Sequence, residues 1–136
     1  MASKIFVNLP VSDLQKTIAF FTRLGFTFNP NFTDDKATCM IISEEAFAML
    51  LVRDYFQTFI DKPITDAHKS TEVLIALSLE SRAQVDEMVE AAVAAGGTVT
   101  REAQDHGFMY QRSFNDLDGH IWEVFWMDEN AVPPQA

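Results

Sequence analysis

The residue with the most chemical potential is a carboxylate in greasy company. In HIWEVFWMD, residues 120 to 128, Glu123 is flanked by Ile121 and Trp122 on one side and by Val124, Phe125, Trp126 and Met127 on the other. Such an acid can be a metal ligand, a ligand-binding group, or a solvated residue on a strand's open face. If it faces a core it costs several kcal/mol unless it is paired or hydrated. Arg112, Arg53 and Tyr110 are the candidate partners. In FMYQRSF, Tyr110 and Arg112 share one strand face and Met109, Gln111 and Ser113 the other. Alternation does not say which face is inward. The histidines are His68, His106 and His120. His120 and Glu123 are three apart, so a regular strand points them to opposite faces. A metal site from His106, His120 and Glu123 therefore needs a rearranged strand; otherwise these are histidines near turns.

The bulk numbers narrow the classes of function. The chain has 136 residues, enough for one domain that buries roughly 70% of its unfolded surface. Twenty acids against ten bases give a formal charge of -10. That field argues against nucleic acid or an anionic membrane as a partner. It suits a neutral or cationic small ligand, or serves solubility alone. The single Cys39 excludes an internal disulfide, and its setting in TCMIIS suggests a buried thiol. MASKIFVNLP has no secretory pattern, and no run is long enough to span a membrane, so the expected location is the cytoplasm.

The elements that must position Glu123 read as one unit used twice. IFVNL is a strand, Ser12 or Asp13 caps a helix carrying Leu14, Ile18, Phe21 and Leu24, and Gly25 stops it. Ser12 and Gln15 have capping-box spacing. FTF, ATCMIIS and FAMLLV follow as strands. The second half repeats the order. VLIALSL is a strand, Ser81 and Gln84 repeat the cap, and Val85, Met88, Val89, Ala92 and Val93 form a helical stripe before Gly96 and Gly97. TVT, FMYQRSF and HIWEVFW are then three strands, the last two joined around Asp118-Gly119. Ser12 to Ser81 spans 69 residues and Gly25 to Gly96 spans 71, which fits duplicated units. The expected fold is α+β: one domain over 1-136, with two βαβββ modules at about 4-60 and 73-127. Their sheets are expected to be curved and mostly antiparallel, around a cleft. Residues 61-72 read as a linker and 128-136 as a loose tail.

This order, with VNLPVSDL, the LGF after the first helix, the AAGG after the second and DLDGHIWEV near the end, resembles the vicinal oxygen chelate superfamily. That group includes glyoxalase I, extradiol dioxygenases, fosfomycin-resistance enzymes and bleomycin-resistance proteins. Leu117 stands where the family usually has Pro. The resemblance implies four metal-facing positions: the start of each module's first strand and the middle of each module's last. Here they fall on Phe6 (Ile5 with a one-residue slip), on Met49 to Leu51, on Leu74 and on Glu123. Three of four lack the His, Gln or Glu that a divalent ion needs to compete with water.

The cleft is then expected to carry Phe6, Asn8, Leu74, Ala76, Tyr110, Arg112, Glu123 and Phe125, with Ile121 and Met127 beside Glu123 and Trp122, Val124 and Trp126 toward the helix. Such a lining suits a small molecule, although the same side chains could pack together and fill the space. Tyr55, Phe56, Phe59 and Ile60 suggest a short amphipathic turn over the cavity mouth, a partner subunit or the sheet edge.

Three functions compete. One is a metal-free, bleomycin-resistance-like protein that binds a small apolar or aromatic molecule without a cofactor, as a homodimer. Another is a glyoxalase I type lyase or a dioxygenase that needs a divalent metal such as Ni, Zn, Fe or Mn. The last is a filled fold whose surface serves as partner or regulator.

Overall fold

The computed structural model describes residues 3–130. The elements run β1 (Ile5–Val11), α1 (Leu14–Arg23), β2 (Thr27–Phe28), β3 (Ala37–Ile41), β4 (Ala46–Val52), α2 (Arg53–Gln57), β5 (Leu74–Ser78), α3 (Arg82–Ala94), β6 (Gln104–Asp105), β7 (Met109–Asn115) and β8 (Ile121–Met127). Two compact units result, Met1–Asp66 and Ala67–Ala136, dividing inside the expected linker. Each holds a four-stranded sheet, in the orders β1-β4-β3-β2 and β5-β8-β7-β6. In both, the first strand runs parallel to the last, while the remaining pairs are antiparallel. The α+β class and the repeated strand-helix-strand-strand-strand order are as the sequence implied. The tail beyond residue 130 lies outside the described residues.

In the first unit, Asp13 caps α1 by accepting from the Lys16 N–H at 3.0 Å. The Ser12 capping box is thus displaced by one residue. Leu14, Thr17, Phe20 and Phe21 are buried beneath the helix, where α1 packs on β3 and β4. Gly25 follows at φ +102°, a left-handed turn that favours glycine. Pro10 sits in β1, an edge strand where a missing N–H is tolerated. The aromatic segment after β4 becomes α2, which packs against β1 and β4 of its own unit.

In the second unit, Ser81 caps α3 as expected, accepting from the Gln84 N–H at 3.1 Å. The Gln84 side chain reaches back to the Glu80 N–H. Val85, Val89 and Ala92 are buried on the side that meets β7 and β8. TVT is not a full strand: only Thr98 bridges, to Asn115, and the edge strand is the two-residue β6. Gly96 turns the chain at φ +110°, and the Gly97 N–H bonds Ala92 O at the end of α3.

Asp116 explains the β7–β8 connection. Its buried carboxylate accepts from the Asp118 and His120 N–H groups and from the Trp122 indole, each at 3.0 Å. Burial pushes this carboxyl above its usual range, while the three donors favour the charged form. Gly119, at φ +86°, completes the turn. A Cβ there would lie 2.9 Å from the Ala67 and His68 backbone, so the turn is seated against the start of its own unit.

Candidate functional site

Each sheet turns one face to its helix. On the second, the register sorts the rest. Glu123 stands opposite Ser113 of β7 and beside Ala76 of β5. Ile121 shares that face with Leu74, and Phe125 with Ser78 and Gln111. The opposite face carries Trp122, Val124 and Phe114, all buried against α3. Leu74 is 54% exposed and Ala76 also lies open, so the Glu123 face is an apolar surface that reaches solvent. The orientation expected of Ile121, Glu123 and Phe125 against Trp122, Val124 and Trp126 follows from this pairing.

Tyr110 and Arg112 correct the expected lining. They share strand parity with Phe114, and burying Phe114 carries both to the α3 side. There the Tyr110 hydroxyl donates to Asp86 Oδ1 at 2.7 Å, and Arg112 donates to the same oxygen at 2.9 Å. The Tyr110 hydroxyl, then Arg112, hold the Asp86 carboxyl below the usual range, and Asp86 in turn raises the Tyr110 phenol. No clamp between Arg112 and Glu123 forms. Nearby, Arg82 pairs with both Asp105 oxygens at 2.8 and 2.9 Å, donates to Gly107 O, and lies over the Tyr110 and Trp126 rings. That guanidinium, with the Gly107 N–H, holds the Asp105 carboxyl down to about 2.

Among the described residues, the Glu123 carboxylate makes no hydrogen bond or ion pair. The Ser113 hydroxyl opposite it makes none either. Sequence reasoning named neither Ser113 nor Asp116 nor Asp86 as functional. The signal for Ser113 was its parity with Glu123, which became decisive only once Phe114 was known to face the helix.

In the first unit, Phe6 pairs with Phe47 and stacks on it, ring centroids 4.8 Å apart. Asn8 pairs with Met49, which in turn pairs with Cys39. The Asn8 amide donates to Phe6 O at 3.2 Å. Cys39 is buried, and burial pushes its thiol up. Phe6 remains half exposed on this edge strand.

The four positions that the resemblance assigns to a metal supply one hard donor. Phe6 and Leu74 have no donor atoms, Met49 offers only a soft thioether, and Leu50 and Leu51 none. Glu123 alone brings oxygen, which does not fit Ni, Zn, Fe or Mn in competition with water. Nor does the rearranged trio form. His106 is tied to Met109 O, at the Met127 end of β8. His120 precedes the other end, about 20 Å away along seven strand residues. Among the described residues, no three His, Cys, Asp or Glu side chains group to hold a metal.

The fold is shared with solved structures. Hypothetical protein SA1046 from S. aureus is 29% identical, with a TM-score of 0.78 over 93% of this chain and 95% of that one. A glyoxalase-related enzyme from Fulvimarina pelagi is 20% identical, at a TM-score of 0.79 over 100% and 94%. The fosfomycin resistance protein FosX from Listeria monocytogenes is 19% identical, at 0.68 over 96% and 97%. No curated protein matches the sequence. Residues 5–124 match the Glyoxalase/Bleomycin resistance protein/Dioxygenase superfamily, from β1 into β8, and the chain belongs to it.

Proposed function

We propose that this protein binds a small apolar or aromatic molecule without a metal, using the open face of its second sheet. The observation that carries the reading is the donor set. Where the family resemblance places metal ligands, this chain has Phe6, Met49 to Leu51 and Leu74, leaving Glu123 as the one carboxylate. An apolar surface with a few polar groups is the usual character of a small-molecule site. Leu74, Ala76, Glu123 and Phe125 contribute from the second sheet, and Phe6 and Asn8 are candidates on the first. Tyr110 and Arg112 leave the set.

The reading extends to assembly and address. The strands β1 and β5, each at the edge of its own sheet, support a homodimer that covers those edges. No helix among the described residues is long and apolar enough to cross a membrane. The acidic charge supports a protein that binds neither nucleic acid nor an anionic membrane, and its proposed place is the cytoplasm.

The test is a backbone amide NMR titration of EDTA-treated protein with small aromatic compounds. The expected result is saturable shifts at Ile121, Glu123 and Phe125. Binding that appears only after adding Ni, Zn, Fe or Mn contradicts the reading.

A further inference from the structure

We propose that Ser113 and Glu123 form a subsite for a protonated amine carried by the ligand, a deepening that rests on the binding reading above. The two residues are direct cross-strand partners on β7 and β8. Ser113 is only 9% exposed, yet its hydroxyl has no partner among the described residues. No fully buried side-chain nitrogen or oxygen is left unbonded among the described residues, so the Ser113 oxygen is not fully buried. Glu123 beside it is half-buried and likewise without a partner.

Charge selects the occupant. Within its own sheet, the register surrounds Glu123 with Leu74, Ala76, Gln111, Ser113, Ile121 and Phe125, none of them basic. Arg82 and Arg112 are engaged by Asp105 and Asp86, Arg112 on the other side of the sheet. A half-buried carboxylate in apolar surroundings gains most from a counter-charge that also fills its hydrogen-bonding capacity. An ammonium has three donors and no acceptor, so it can bond the Glu123 carboxylate and the Ser113 oxygen together. Phe125 and Ile121 would flank its apolar body. A carboxylic acid would meet repulsion at the same place.

The experiment is isothermal titration calorimetry at pH 7 with three probes of one shape: 2-naphthylmethylamine, 2-naphthylmethanol and 2-naphthoate. The amine is expected to bind roughly ten-fold or more tighter than the alcohol, as a charge-assisted hydrogen bond allows. Naphthoate is expected to bind weakest. E123Q should abolish the preference for the amine, and S113A should weaken the amine about three-fold or more. Equal binding of amine and alcohol, or a preference that survives E123Q, overturns the subsite and leaves the binding reading standing. No binding by any of the three overturns both.

Discussion

The two units share one topology and spend their surfaces differently. In the first, α1 sits on the sheet through Leu14, Thr17, Phe20 and Phe21, and α2 follows β4 and packs on β1 and β4. At that end Pro10, Ala37 and Leu51 are buried on the face away from α1. In the second, the helix layer itself is polar in part: Asp86 of α3 holds Tyr110 and Arg112 of β7. No helix follows β8 among the described residues, and the face away from α3 carries an unpaired Ser113 and Glu123. The same fold thus places closure in one half and an open polar pair in the other. In both, the helix packs on a buried sheet face, and the proposed binding falls on the face of the second sheet away from α3.

Mutations can break this comparison in order of effect. Phe21→Ala and Trp122→Ala each remove a fully buried ring from under a helix and should each cost about 3–5 kcal/mol in urea denaturation. Trp122→Ala should be the worse, because Asp116 also loses a donor. Equal, small losses would mean that the helix faces are not the cores. Gly25→Ala and Gly119→Ala sharpen the contrast between turns. Both positions have positive φ, but the Gly25 Cβ would meet open space while that at Gly119 would meet the Ala67 backbone at 2.9 Å. Gly25→Ala should cost about 1–2 kcal/mol, and Gly119→Ala should exceed it by about 1–3 kcal/mol.

Acid should act on the second unit's charge network. The folded Asp105 carboxyl lies at about 2 against an ordinary 3.8, and that of Asp86 is also lowered. Groups depressed on folding add stability that is complete above their unfolded values and disappears as pH falls through the folded ones. Wild type should therefore lose more stability than a D86N/D105N variant between pH 4 and pH 2, read by urea midpoints. Parallel curves would show that these pairs do not stabilise the fold. Asp86→Asn at pH 7 should cost about 1 kcal/mol or less, because the pair is partly exposed. The smallest effect belongs to Glu123→Gln, which breaks no intramolecular bond and should stay within about 0.5 kcal/mol of wild type.

Much of this was legible in the residues. Duplicated caps, glycine stops and helical periodicity located both modules, because each signal is local. Of the two caps open to α1 the structure uses Asp13 rather than Ser12, and the edge strand after α3 lies at Gln104–Asp105 rather than at TVT. The inward face of β7 was not legible, because Tyr110, Gln111, Arg112 and Ser113 are all polar. It was set by Phe114 together with a partner on another element, Asp86, and such pairing is not local. The apolar occupants of the family's metal positions were readable at once, since side-chain type does not depend on the fold.

Elemental analysis of protein purified without chelators, wild type beside Glu123→Gln, reaches the central claim most directly. The account predicts no stoichiometric divalent ion in either. One Ni, Zn, Fe or Mn per chain in wild type, lost when Glu123 becomes Gln, would contradict it.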